Sequence, residues 1–392
     1  MKILITDFNI QLNGHHLGHV QNILNFLAEN PNKNQYFFLL NPLPTGTIKL
    51  KNTSNIHLNF LSEDEYKNAQ EQKSIFSRSK FEWEIIENSA KKLGIHHLIL
   101  MDLDAYQIAI GSAKQNFKIS GIWFQPFSRI EPPTDANLKE KLSVNLRKVR
   151  KSLTMRWCSQ NNKLGKIFIF NDSPVVEKMN KQFGNHFAYL PDPVYDYPIK
   201  ENFDIREIYK IDEEKVIFLI FGAIDGKKNV VNILKAFQKL SAEESKNTCL
   251  LIIGKVINSY KEILEKALEE TRNIQPKLQI ITENNFVEND EMEAFFAQSD
   301  VVLRMNVNFF ASSGIIGIAA KHNKPSLVSD NGLVAELTEK YNLGIMENPE
   351  NIEGIAEKLR YFLENPATRK IDGQEYYQKH DCISFAKTLL GL

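Results

Sequence analysis

Short apolar runs of strand length alternate with longer amphipathic runs along almost the whole chain, as where KILITD is followed by HHLGHVQNILNFL and then YFFLLN. Repetition of that unit is the pattern of parallel strands joined by crossover helices. Two series are visible. The first places strands at 2–7, 36–41, 56–61, 97–101, 119–124, 166–170 and 187–190, the second at 216–222, 248–254, 278–282, 301–305, 326–329 and 344–346. Between them, LPDPVYDYPIK carries three prolines, which supply no ladder donors and favour an extended linker. The expected fold class is therefore α/β, with two doubly wound Rossmann-like domains over 1–195 and 196–375 and a helical tail over 376–392. Ligands of open α/β sheets bind outside the carboxyl ends of the strands, so two such domains facing each other would share a central cleft.

The length of 392 residues fits two domains at roughly 100–200 residues each. Equal numbers of acidic and basic residues, 48 of each, leave no global field that would draw the chain to nucleic acid. Three well-separated cysteines, Cys158, Cys249 and Cys382, fit neither a disulfide framework nor a metal site. The opening MKILITDFNI lacks a charged leader with a cleavage site, and no apolar run reaches the roughly 18 residues of a membrane span. A cytoplasmic location is expected.

Within the second series, VVLRMNVNFFASSGIIGIAAKHNKPSLVSDN (301–331) sets a buried strand, a Ser-Ser-Gly helix start and another strand in succession. The first turn of a helix presents backbone N–H groups and the positive end of the helix dipole, so Ser312, Ser313 and Gly314 can hold an anion. A plain serine cap is the alternative. Farther upstream, FLIFGAIDGKKNVVNILKAF (218–237) ends a strand at Gly222 and puts Lys227 and Lys228 at a helix start, where cations oppose the dipole unless an anion neutralises them. LLIIGKV ends another strand at Gly254, which permits close backbone approach.

These segments resemble the donor site of nucleotide-sugar glycosyltransferases of the GT-B architecture, group 1 type. By that resemblance Lys228 takes the place of a diphosphate-gripping lysine, and Ala223 that of the companion arginine. Phe310 and Ile318 stand where the family has two glutamates that contact sugar and ribose. In ITENNFVENDEMEAFFAQSDVVLRM (281–305), Phe286 and Val287 would meet the nucleotide base through their backbone, or Phe286 would be a core or staple residue. The resemblance also implies a retaining, metal-independent transfer needing no cofactor beyond the nucleotide-diphosphate sugar, and a last helix that crosses back to the first domain.

In the first series, DFNIQLNGHHLGHVQNILNFL (7–27) resembles the glycine- and histidine-bearing loop of such transferases. Gly14 would lie on the phosphate or sugar, and His15, His16 and His19 are candidates for hydrogen bonding or proton handling, His16 foremost. No matched partner set for a metal accompanies them. Asp102 and Asp104 end the fourth run and Gln125, Ser128 and Arg129 the fifth, all acceptor-side candidates. An aspartate there can equally cap a helix.

From Leu138 to Trp157 the apolar residues Leu138, Leu142, Leu146, Val149, Leu153 and Trp157 mark one helical face, and the rest is strongly basic. The stripe is expected to pack into the core. Its basic residues would suit an anionic membrane surface, which places the protein at the inner face of the cell membrane with a lipid-linked acceptor. The function expected is sugar transfer from a nucleotide-diphosphate sugar to a glycan or lipid-linked glycan. The alternative is a GT-B-like binder of nucleotide, glycan or partner protein without catalysis.

Overall fold

The first seven apolar runs form β1 (Lys2–Asp7), β2 (Gln35–Leu40), β3 (Ile56–Phe60), β4 (His97–Leu100), β5 (Lys118–Ile122), β6 (Leu164–Phe170) and β7 (Phe187–Leu190). They make one parallel sheet in the order β3-β2-β1-β4-β5-β6-β7. The second series forms β8 (Val216–Phe221), β9 (Thr248–Ile253), β10 (Gln279–Glu283), β11 (Val301–Arg304), β12 (Ser326–Ser329) and β13 (Gly344–Glu347). These make a second parallel sheet, β10-β9-β8-β11-β12-β13. The chain is thus doubly wound twice over, as the alternation predicts. The computed structural model describes residues 1–12, 15–51, 53–130, 132, 137–308 and 313–392. It divides into a first unit, Met1–Pro193 with Cys382–Leu392, and a second unit, Val194–Asp381.

Helices cover both faces of each sheet, so the central strands are mainly apolar and successive residues enter different cores. In the first unit Leu4, Leu98 and Leu100 join one apolar cluster while Ile3, Ile5, Ile99 and Met101 join the other. In the second, Phe218 and Ile220 face one cluster and Ile217 and Leu219 the other. The edge strands β3 and β10 are far less buried, and their polar residues suit an edge left without a partner strand. The last helix, Cys382–Leu390, belongs to the first unit, where Phe385, Leu389 and Leu390 are buried in the cluster that also holds Ile23 and Phe26.

One expectation fails. The helix Leu138–Ser159, begun by a capping box between Asn137 and Glu140, buries only Met155 and Cys158. Its apolar stripe is exposed, from Leu138 at 85% to Leu142 at 58%, Leu146 at 62% and Leu153 at 62%. At 3.6 residues per turn, the face formed by Val144, Lys148, Lys151, Met155 and Cys158 is opposite the stripe, and that is the face turned to the unit. Periodicity locates an apolar face but does not say which way the helix is rolled.

Candidate functional site

Both sheets reverse their strand order between the first and fourth strand, at β1/β4 and at β8/β11. That switch point is where an open α/β sheet opens a crevice beyond its strand ends. Each unit has a cluster of charged side chains there.

In the second unit β8 ends at Phe221, and Gly222 then takes φ +103°, a conformation that side-chain-bearing residues rarely adopt. The loop continues into the turn Gly226–Lys228, capped by Asp225, whose Oδ1 accepts from the backbone N–H groups of Lys227 (3.0 Å) and Lys228 (3.2 Å). That carboxylate supplies the negative charge which the two lysines' position at a helical start requires. Lys227 points to solvent. Lys228 folds back, and its Nζ donates to the Phe221 carbonyl at 2.6 Å. Gly254, ending β9 at φ +134°, could not carry a side chain, because a Cβ would sit 2.1 Å from the Gly222 carbonyl oxygen.

Arg304 ends β11 and is only 5% exposed. Its Nε donates to Ser313 Oγ at 2.8 Å, and Ser313 immediately precedes the helix Gly314–Lys321. The Ser313 side chain makes no capping bond to that helix, so the plain cap reading does not hold at this residue. Val307 N donates to Lys227 O (3.0 Å), tying the segment after β11 to the Lys227–Lys228 turn. Burial, and then the Arg304 guanidinium, push the Lys228 ammonium down to about 7, with Asp225 acting the other way. Burial likewise lowers Arg304 to about 10, again against Asp225. Two cations crowded at a strand-end switch point, next to a helix start, form a site suited to a multiply charged anion.

The remaining residues expected at this site are distributed differently. Gly314 opens its helix. Phe286 is 51% exposed and is no core residue, whereas its neighbour Val287 is buried in the cluster of Phe295 and Phe296. The staple position is therefore Val287, one residue before the Glu288 cap of the helix Asn289–Gln298. Ala223 is exposed, and Ile318 packs against the same apolar cluster as Val287, so its side chain offers no polar contact. Gly14, Phe310 and Ser312 lie outside the described residues.

In the first unit the polarity is reversed. Asp7 ends β1 with its side chain fully buried, and its Oδ2 lies 2.7 Å from Nδ1 of His16 at the start of the helix His15–Glu29. Asn9 bridges this pair to β4. Its N–H donates to Asp7 Oδ1 (3.0 Å) and its side-chain amide to Asp102 Oδ2 (2.7 Å). Asp102 Oδ1 accepts from Asp104 N (2.9 Å), and Asp104 Oδ2 accepts from Phe124 N (2.8 Å) just past β5. The next helix, Gln107–Ser112, starts from Tyr106 without a side-chain cap, so neither aspartate serves as its cap.

Burial alone would lower His16, but the hydrogen bond and charge of Asp7 and the charge of Asp102 raise it above its usual value. Burial raises Asp102, with Asp7 adding to the effect and Asn9 and His16 opposing it. Burial and Asp102 together push Asp104 up to about 7. His16 and Asp102 thus share one hydrogen-bonded network, as two candidates that belong together. His19 does not join them. It is buried against Phe124, Phe170 and Phe385 and is held well below its usual value by burial, while His15 is exposed. Arg129 pairs in bidentate fashion with Asp172, which also caps the helix Ser173–Phe183, and Gln125 offers its carbonyl to Lys151 (3.3 Å).

Four members of these clusters are absent from the sequence reading: Asp7, Asn9, Asp225 and Arg304. Arg304 has a legible signal, an arginine inside the otherwise apolar run VVLRM, since a buried strand rarely carries a guanidinium without a use for it. Asp7 likewise closes the apolar run KILIT.

Residues 201–379 match the model of a family described as glycosyl transferases group 1. No curated protein matches the chain. Similar solved folds include sucrose-phosphate synthase from Thermosynechococcus elongatus, 12% identical with a TM-score of 0.74, the match covering 100% of this chain and 97% of that one. An α,α-trehalose-phosphate synthase (UDP-forming) from Burkholderia xenovorans, in complex with glucose-6-phosphate, is 13% identical with a TM-score of 0.67, covering 100% and 99%. Anabaena HepE in complex with UDP is 12% identical with a TM-score of 0.67, covering 100% and 99%. At such identities the likeness concerns the fold, which is GT-B.

Proposed function

We propose, from the match of residues 201–379 to the group 1 glycosyl transferase model, that the protein transfers a sugar from a nucleotide-diphosphate sugar to a glycan or lipid-linked glycan acceptor, in polysaccharide biosynthesis in the cytoplasm. The observation that carries this reading is the convergence of Lys228, Arg304 and Ser313 at the β8/β11 switch point. Here the donor's diphosphate would lie against Lys228 Nζ and the start of the helix Gly314–Lys321, with Arg304 held in place by Ser313. As the bond from the anomeric carbon to the leaving phosphate breaks, charge builds on the diphosphate, and preorganised cations in a partly desolvated site stabilise it. These side chains supply the positive charge for a metal-independent reaction.

In a retaining transfer the acceptor oxygen attacks the face that the leaving group departs from. Its proton passes to the leaving phosphate oxygen. The Asp7–His16–Asn9–Asp102 network offers acceptors and donors to sugar hydroxyls, and Asp104, with a value near 7, is poised between its two states at neutral pH. The names of the similar structures, which include UDP and UDP-forming enzymes, support a nucleotide-sugar donor.

One observation favours a second reading, in which the protein binds a nucleotide without transferring sugar. Ile318 is packed among apolar side chains at a position where the resemblance calls for a glutamate. A panel of nucleotide sugars, read by thermal shift and by nucleotide release with acceptor extracts, separates the two. Stabilisation with turnover supports transfer, stabilisation without turnover supports the binder, and the absence of both removes the donor site.

A further inference from the structure

The helix Leu138–Ser159 is inverted with respect to its unit. Leu138, Leu142, Leu146, Val149 and Leu153 are between 56% and 85% exposed, and Trp157 is 49% exposed. A helix that packs on a domain normally turns its apolar face inward. Here the inward side carries Met155 and Cys158 together with the half-buried Lys148 and Lys151, whose ammonium reaches the Gln125 carbonyl. Thr154 donates to Gln107 Oε1 (3.1 Å), and the Trp157 indole donates to Ser112 Oγ (3.3 Å), which fixes the roll of the helix. The outward stripe is therefore held in place by its own unit.

What covers such a stripe is decided by the charge beside it. On a helical projection Lys139, Arg150 and Arg156 lie within or along the edges of the apolar arc, while the only acid of the helix, Glu140, serves the capping box at its start. Past Val149 and Leu153 the surface dips into a groove of about 300 Å³ lined by Phe127, Ser128 and Ser152 and flanked by Lys148 and Lys178. A protein partner would have to match an apolar stripe and a basic rim together. An anionic bilayer presents both, as acyl chains beneath a layer of negative headgroups.

We propose that this helix docks the protein onto an anionic lipid surface, with Leu138, Leu142, Leu146, Val149, Leu153 and Trp157 inserted at the acyl boundary. Lys139, Arg150 and Arg156 meet phosphate headgroups, and the groove between Lys148 and Lys178 receives a lipid headgroup with the start of its chain. This surface lies in the first unit, apart from the diphosphate site, and stands whether or not the chain transfers sugar. Among the described residues no helix is long and apolar enough to cross a membrane, so attachment through this helix would be interfacial.

The test is co-flotation of the full chain with vesicles of phosphatidylcholine alone and of phosphatidylcholine containing about one-third phosphatidylglycerol, followed by Trp fluorescence. Trp83 and Trp123 are buried, so a blue shift on vesicle binding would report Trp157, and Trp157→Phe would abolish it. Binding is expected to require the anionic lipid and to weaken with salt. Arg150→Gln with Arg156→Gln should lower it at least tenfold, on the order of fivefold per charge removed. Leu142→Asp with Leu146→Asp should abolish it, and both positions are exposed enough for the fold to survive, which circular dichroism checks. Equal binding to neutral vesicles, binding that persists in the Leu→Asp variant, or no vesicle binding together with self-association that the Leu→Asp variant removes, would each overturn the proposal.

Discussion

The two units share a topology and place charged side chains at the same switch point, but with opposite polarity. Past β1 and β4 the cluster is built from Asp7, Asp102 and Asp104 with one histidine, and His16, Asp102 and Asp104 are held above their usual values. Past β8 and β11 it is built from Lys228 and Arg304, and both are held below. One crevice is tuned to keep protons and the other to shed them. For Asp102, Asp104, Lys228 and Arg304 the leading cause is common, since burial disfavours charge of either sign. Like-charged neighbours add to it at Asp102, Asp104 and Lys228, whereas His16 is raised against its burial by Asp7 and Asp102. An acid cluster of this kind suits hydroxyl-rich ligands, and a cation pair suits a phosphate-rich one.

The sharpest way to break that comparison is to remove its central cation. Lys228→Ala should weaken nucleoside diphosphate binding by about 10- to 100-fold, the loss of one charge-assisted hydrogen bond, whereas His16→Ala should leave that affinity unchanged and lower turnover only. Calorimetric titration of both variants checks this, and equal effects would dissolve the division of labour. A second test is pH. Lys228 is charged below about 7 and loses its proton above it, and a bound diphosphate raises its value, so affinity should be greatest below pH 7. It should fall by up to about tenfold per pH unit above that, an order set by one proton linked to binding.

Ser313→Ala should act more mildly, because it loosens Arg304 without removing it. A loss of about three- to tenfold in diphosphate affinity is expected, the worth of one buried hydrogen bond. The smallest effect is on stability. Asp104, raised to about 7, binds its proton in the folded state where the unfolded chain has already lost it, so its contribution costs stability progressively as pH rises from about 4 to 7. His16, also raised, works in the same sense, its contribution being lost as pH rises through its folded value. Lys228, lowered, works in the opposite sense, and its cost is relieved as pH rises from 7 towards its unfolded value. Asp104→Asn should therefore raise the Tm at pH 8 by several degrees, at roughly 2–4 °C per kcal/mol, and leave it unchanged at pH 4, measured by differential scanning calorimetry.

The strands were legible because a strand buried on both faces has to be apolar along its length, and runs such as VIFLIF and TCLLII leave no other reading. Sites at strand ends were legible to the extent that glycine and charge coincide there, as at Gly222 and Lys228. What escaped depends on direction rather than composition. Asp225 reads as a loop acid until its carboxylate is seen beneath the Lys227 and Lys228 amides. Arg304 is nine residues from Ser313 of the Ser-Ser-Gly start, and only the return of the chain brings them together. The helix Leu138–Ser159 displays the same limit, since its apolar stripe was visible and its outward roll was not.

The central claim is that Lys228 and its cationic partner form a diphosphate site that takes up a proton on binding. The most direct measurement is calorimetric titration of uridine and guanosine diphosphates into the full chain near pH 8, in two buffers of different ionisation enthalpy. Binding accompanied by uptake of about one proton, lost in Lys228→Met, is the predicted result. Binding with no proton uptake, or uptake that persists in Lys228→Met, would contradict it.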